Sequence, residues 1–204
     1  MTRLQTQELP FSRACETNKT AILEKLLVIF SDQKTVLELG SGTGQHASWF
    51  AQHMPWLEWQ PTDIAGSLPT LLLRCAAYPG SNLLPARPLD VTQNPWPVSV
   101  PSALYTANSL HIMPLSALQA MFDILGKRAE KGTILVVYGP FNYGGQYTSD
   151  SNARFDEWLY QQHPQSAIRD FERVDELANS AGFTLEEDHA MPANNRLLVW
   201  RRSV

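Results

Sequence analysis

The stretch "VLELGSGTGQHASWF", residues 36–50, decides how this chain is read. An apolar run of strand character breaks into three glycines at alternate positions, Gly40, Gly42 and Gly44, and a helical pattern follows at once. Glycines at the carboxyl end of a strand let the backbone turn sharply and let a ligand approach where a Cβ would block it. The next helix aims its unsatisfied amides at the same place. The dinucleotide pattern G-x-G-x-x-G would need a third glycine at position 45, and Gln45 stands there. The stretch therefore predicts a strand–loop–helix unit that holds a nucleotide-like ligand without a pyrophosphate.

Working outward, strand-like runs alternate with segments of helical period. "AILEKLLVIF" puts Ile22, Leu23, Leu26, Leu27 and Phe30 on one helical face ahead of the strand "TVLEL". "HASWFAQHM" reads as a helix that stops before Pro55. Further strands are expected at "LEWQPTD", "ARPLDV", "SALYTAN" and "GTILVVYG", the last being the most β-branched and so central. Between them lie helices at "SLPTLLLRCAAY" and "LSALQAMFDILGKRA", the second with Leu115, Leu118, Phe122 and Leu125 turned inward. Helices over 152–162 and 174–181 precede two strands, "FTLEEDH" and "RLLVWRR", close enough in sequence to pair antiparallel. The expected fold is α/β: a doubly wound, Rossmann-like sheet of seven strands, mostly parallel, with one antiparallel strand from the C-terminal hairpin.

At 204 residues the chain suits one domain over 1–204, burying about 70% of the surface its unfolded form exposes. Cys15 and Cys75 stand apart with no metal-ligand spacing, which predicts no metal and a reduced, cytoplasmic setting. The N-terminus lacks the apolar core of a signal peptide, and no run approaches the ~18 apolar residues of a membrane span, so no membrane association is expected. Net charge is -4 and the Lys and Arg residues are scattered, which argues against nucleic acid as a partner.

With Glu38 before them, the three glycines resemble motif I of the class I S-adenosylmethionine-dependent methyltransferases, where the loop curves past the methionine part of the cofactor. Asp63 ends the second strand about 20 residues beyond the glycines, where a carboxylate accepts the ribose hydroxyls; alone, it also suits a helix cap before Ile64. Asp90, ending the third strand, matches the position that contacts the adenine amino group, with Val91 offering its amide; alone, it also suits a turn before Thr92. At the end of the fourth strand, "TANSLHIMP" puts Asn108 and His111 beside the same cleft.

Longer stretches resemble one family, the small methyltransferase-like protein twenty-six family, long described as a domain of unknown function. The matching segments are "FSRACETNKTAILEKL", "SGTGQHASWFA", "TANSLHI", "YGPFNYGGQYTSDSNARFDEWL", "IRDFERVDELANSAGF" and "MPANNRLLVWRR", nearly the whole chain. One departure is Thr17, where that family usually carries Arg. The resemblance implies a methyltransferase sheet with S-adenosyl-L-methionine as cofactor and leaves the substrate open. The cofactor residues expected are Asn18, Glu38, Gly40, Ser41, Gly42, Gly44, His46, Asp63, Ile64, Asp90, Val91 and Asn108.

Methyl transfer is an in-line displacement on a donor that carries its own activation, so the protein chiefly has to place the nucleophile and exclude water. For a proton on the acceptor, His111 is the candidate base and Tyr143 a second catalytic candidate, although each also suits a packing role. Tyr138 and Asn142 lie where an acceptor would enter, and residues 139–165 read as a substrate-side insertion. Asn194 and Asn195 sit at the same rim, in a loop where Asn also serves the turn itself. Residues 1–33, with Arg13, Glu16, Asn18 and Lys19, read as a lid segment and helix across the cofactor. The residues "ANSLH" are not the Asn/Asp-Pro-Pro-aromatic motif that methylates the exocyclic amines of nucleic-acid bases, and neither cysteine lies on a predicted substrate loop for pyrimidine carbon methylation. A small-molecule acceptor fits best, and the alternative is a cofactor-binding adaptor without catalysis.

Overall fold

A computed structural model describes residues 9–204, so the first eight residues of the expected lid lie outside the described part. The elements run α1 (Arg13–Ile29), β1 (Thr35–Leu39), α2 (Gln45–His53), β2 (Glu58–Asp63), α3 (Leu68–Ala77), β3 (Arg87–Pro88), β4 (Ala103–Ala107) and α4 (Leu115–Arg128). They continue as β5 (Ile134–Gly139), β6 (Phe141–Asn142), α5 (Asp150–Gln162), β7 (Arg169–Asp170), α6 (Phe171–Ser180), β8 (Phe183–Met191) and β9 (Asn195–Arg202). Seven strands form the main sheet in the order β3-β2-β1-β4-β5-β9-β8. Neighbours from β3 to β5 pair parallel, β9 runs antiparallel to both β5 and β8, and the expected doubly wound sheet with its hairpin strand is what forms.

The sheet separates two apolar cores, which is why its central strands read as unbroken apolar runs. On one face α4 and α6 pack Leu118, Phe122 and Val174 against Leu104, Val137 and Trp200. On the other, α1 and α2 pack Ile22, Leu26 and Phe50 against Trp59, Tyr105 and Val136. Every residue of β5 is buried, as its β-branched composition requires of a central strand.

The structure departs from the sequence reading at several points. Leu27 and Leu115, expected inward, are each 39% exposed, because each falls at the margin of its helix's apolar stripe. β3 is only two residues long; Pro88 is tolerated there because β3 is the edge strand, and the ladder's last bond is the Leu89 amide donating to the Asp63 carbonyl at 2.9 Å. α1 begins at Arg13, capped by Ser12, whose Oγ accepts the Cys15 amide at 3.3 Å. The 139–165 segment holds an unforeseen strand, β6, which pairs with β7 in a separate two-stranded sheet. Two-residue strands carry no periodicity to detect. Among the described residues, no helix is long and apolar enough to cross a membrane.

Candidate cofactor site

The three glycines between β1 and α2 all have positive φ, +74° at Gly40, +54° at Gly42 and +72° at Gly44, a region that L side chains rarely adopt. Two also have no room for a side chain. A Cβ on Gly40 would lie 2.6 Å from Ser109 Oγ, and one on Gly44 would lie 2.7 Å from a Leu71 methyl and 2.9 Å from Arg74 Cγ. Gly42 has nothing within 4 Å of that position and faces open space. Gly44 caps α2, so its spacing from Gly40 sets the angle at which the helix leaves the strand.

Side chains beneath the loop fix its shape. Glu38 is 2% exposed; Ser41 Oγ and Trp59 Nε1 both donate to its Oε2 at 2.9 Å. Burial pushes the Glu38 carboxyl up to about 7, against the opposing pull of those two hydrogen bonds. The Ser41 hydroxyl accepts the Thr62 amide at 3.1 Å, and Thr62 Oγ1 donates to the Glu38 carbonyl at 2.6 Å. Asp63, at the end of β2, accepts the Gly42 amide on one oxygen and the Ile64 amide on the other, both at 2.7 Å. Each oxygen keeps a further lone pair for a ligand.

Above this floor opens a cavity of about 640 Å³. Glu38, Gly40, Ser41, Gly42 and His46 line it from the β1–α2 side. Asp63, Ile64, Asp90 and Val91 line it from the ends of β2 and β3, and Asn108 from the end of β4. Asn108 adopts φ +56°, a left-handed backbone at a non-glycine residue, held by its amide donating to the Tyr138 carbonyl at 2.8 Å. Asp90 also serves its turn: one oxygen accepts Thr92 N at 2.9 Å and Thr92 Oγ1 at 2.7 Å, which holds its carboxyl below the usual carboxylate range.

Two residues expected to touch the cofactor do not line the cavity. Gly44 is turned toward Leu71 and Arg74, and Asn18 is buried in α1 with its Oδ1 2.7 Å from His46 Nε2. An amide oxygen only accepts, so Nε2 carries the proton; Nδ1 stands 3.5 Å from the Tyr105 hydroxyl. Burial holds His46 down to about 4, so the ring is neutral at pH 7 and acts as a strut between α2 and α1.

Neither catalytic candidate lines the cavity. His111 is 5% exposed, set edge-on to Phe155 at 5.3 Å, with burial and then the Arg169 charge holding it down to about 4. Tyr143 stacks on Phe171 and donates to Asp188 Oδ2 at 2.9 Å; burial and that carboxylate push its hydroxyl up. Tyr138 and Asn142 are buried as well. Asn195 serves its loop, donating to the Pro192 carbonyl at 3.1 Å, and Asn194 ties the loop to α5, donating to Ser151 Oγ at 3.3 Å.

The first turn of α1 lines the cavity through residues other than those singled out for the expected lid, since Arg13, Glu16, Asn18 and Lys19 are not part of the lining. Ser12, Ala14 and Cys15, from the cap and first turn of α1, line the cavity, and the Ser12 cap is the signal that places the helix start there. Gln45 holds this turn: its Oε1 accepts the Ser12 amide and the Thr43 hydroxyl, the latter at 3.2 Å. Arg74 assists, its Nε donating to the Thr43 carbonyl at 3.2 Å and its Nη2 to the Pro10 carbonyl. The residue that ruled out a dinucleotide loop thus ties the loop to the segment above it. Ile112, Met113 and Pro114 add an apolar part of the lining.

A sheet of this order with a ligand-sized cavity at its strand ends is the class I S-adenosylmethionine-dependent methyltransferase fold, and solved enzymes share it. An O-methyltransferase family protein from Burkholderia thailandensis matches 94% of this chain and 57% of its own, with TM-score 0.81 and 14% identity. Human N-acetylserotonin methyltransferase in complex with the cofactor matches 94% and 58%, at TM-score 0.71 and 13% identity. An O-methyltransferase of neocarzinostatin biosynthesis, solved with S-adenosylmethionine and 2-hydroxy-5-methyl naphthoic acid, matches 93% and 54%, at TM-score 0.76 and 17% identity. The chain thus spans a little over half the length of these structures, and at such identities they establish the fold alone. Within that fold the chain belongs to the family described as "Protein of unknown function (DUF938)", whose model matches residues 9–202.

Proposed function

We propose that this protein is an S-adenosyl-L-methionine-dependent methyltransferase with a small-molecule acceptor, working in a reducing cytoplasm. The observation that carries the reading is convergence: Gly42, Asp63, Asp90 and Asn108 come from the ends of four different strands or loops and face one cavity of about 640 Å³. The resemblance to the methyltransferase-like protein twenty-six family supports it, as do the small-molecule O-methyltransferases that share the fold.

In this reading Asp63 accepts the ribose hydroxyls, Asp90 and the Val91 amide hold the adenine, and Glu38 with the glycine loop receives the methionine end. The bound cofactor supplies an activated methyl group. The chain's own share is positioning and water exclusion: the first turn of α1 and the 112–114 segment wall the cavity on two sides. No dedicated base is assigned, because His111 and Tyr143 do not line the cavity and both His46 nitrogens have neighbours. Proton loss from the acceptor is then left to solvent or to the acceptor's own acidity.

That same lack of a free base favours a second reading, a cofactor-binding adaptor without catalysis. Calorimetric titration with S-adenosylmethionine and S-adenosylhomocysteine tests what the two share: both predict saturable binding, and no heat at millimolar ligand would reject both. Incubation with a cell metabolite extract and methyl-labelled cofactor separates them. Label transferred by the native chain and lost in Gly42→Trp supports the enzyme; binding without transfer supports the adaptor.

A further inference from the structure

Behind the cavity, the chain leaves four consecutive backbone carbonyls open. After β4 the segment 109–113 closes one turn, with the Ile112 and Met113 amides both donating to the Ser109 carbonyl at 3.0 Å. Pro114 stops the turn there. Proline has no N–H to give the Leu110 carbonyl, and its extended backbone, φ −62° and ψ 153°, breaks the run before α4 begins at Leu115. The carbonyls of residues 110–113 therefore need donors from elsewhere. All four are supplied by residues 166–169. Arg169 Nε donates to the Leu110 carbonyl at 3.1 Å and Nη2 to that of Met113, the Ala167 amide donates to His111 at 2.9 Å, and Ser166 Oγ donates to Ile112 at 2.9 Å.

We infer that this clasp, with Arg169 at its centre, positions the cofactor's wall: Arg169 stands outside the lining, and through the Leu110 and Met113 carbonyls it sets the place of Ile112, Met113 and Pro114 within it. The inference rests on the reading of the cavity as the cofactor's. Arg169 is itself held in place. Its strand β7 pairs with β6, Arg169 opposite Phe141, and Asp156 of α5 accepts the neighbouring Ile168 amide at 2.5 Å. Burial pulls the guanidinium below its usual range, against the nearby Asp156 charge. A guanidinium taken from water needs its donors satisfied, and here carbonyls satisfy them, those of Leu110 and Met113 together with Gln165 at 2.8 Å. The planar fork reaches both ends of the 110–113 turn at once, which the single ammonium of a lysine does less well. Because the clasp follows α5 directly, the insertion read as substrate-side is tied to the wall of the cofactor cavity.

The test compares two arginines of like bonding. Arg202 also donates to two carbonyls, those of Ala181 and Gly126, but it lies beside Thr133 at the start of β5, and neither it nor its partners line the cavity. S-adenosylhomocysteine is titrated calorimetrically into the native full chain, Arg169→Met and Arg202→Met, and each protein is melted. Both substitutions should lower the melting temperature. Only Arg169→Met is expected to weaken the ligand, by about tenfold, as loss of hydrogen bonds from a charged group implies. Arg169→Lys, which keeps the charge without the fork, should recover part of that loss. Native affinity in Arg169→Met, or an equal loss in the two methionine variants, makes Arg169 an ordinary structural residue and overturns the inference, while the cofactor reading stands. No binding to the native chain at millimolar ligand ends the cofactor reading, and the inference with it. Should Arg169→Met not fold, Ser166→Ala decides in its place: it removes one oxygen and the donor to Ile112, a loss of about threefold in affinity is expected, and native affinity overturns the inference.

Discussion

Gly40, Gly42 and Gly44 share the sign of φ and differ in why they are glycine. Gly40 and Gly44 are confined by neighbours within 3 Å of a would-be Cβ, whereas Gly42 is held only by its dihedral and its openness to the cavity. Gly42→Ala should therefore fold, losing about 1–2 kcal/mol to left-handed strain, while Gly44→Ala adds a clash with Leu71 and Arg74 and loses more. Paired thermal melts check this, and equal losses would refute the distinction. At Asp63, replacement by Ala removes both the ligand's acceptor and the brace on the Gly42 amide; cofactor binding should weaken by about 1.5–3 kcal/mol, read by calorimetry. These positions were legible because residue type and spacing at strand ends are local properties. The turn role of Asp90, holding Thr92, was also visible as a turn signal.

At the scale of elements, what the chain adds to the sheet is the strap formed by the cap and first turn of α1. Gln45 from α2 and Arg74 from α3 hold it from below, and His46 grips Asn18 one turn further on. Gln45→Ala with Arg74→Ala should free residues 10–16 while leaving the sheet intact. Amide exchange there is expected to rise by about tenfold, as the loss of one or two net hydrogen bonds implies, with cofactor dissociation faster in parallel. Unchanged exchange would mean the strap is held by packing alone. A lid over residues 1–33 was expected, but the start of α1 at Ser12 and the side chains it turns to the cavity were not legible, because contacts such as Ser12 with Gln45 join residues 33 apart and leave no periodicity. The same reason hid β6 and β7, which pair across 28 positions.

For the whole molecule, Glu38 links the fold to pH. Its carboxyl titrates at about 7 in the folded chain against 4.5 in the ordinary range, so between those values the folded state binds more protons than the unfolded one. Stability attributable to this group is complete below pH 4.5 and declines as pH rises toward 7, by on the order of 1–3 kcal/mol. Chemical denaturation from pH 5 to 8 should show that decline, and Glu38→Gln should flatten it; an identical slope in the variant would remove Glu38 as the cause. The sequence by itself determined the doubly wound sheet, the hairpin strand and the stations at Gly42, Asp63, Asp90 and Asn108, since apolar period and strand-end position are written residue by residue. Only the tertiary structure decided that His111 and Tyr143 stand away from the cavity and that Ser12, Ala14 and Cys15, rather than the charged residues of the expected lid, face it. It also decided which side chains meet at the cavity, because that depends on how distant elements pack.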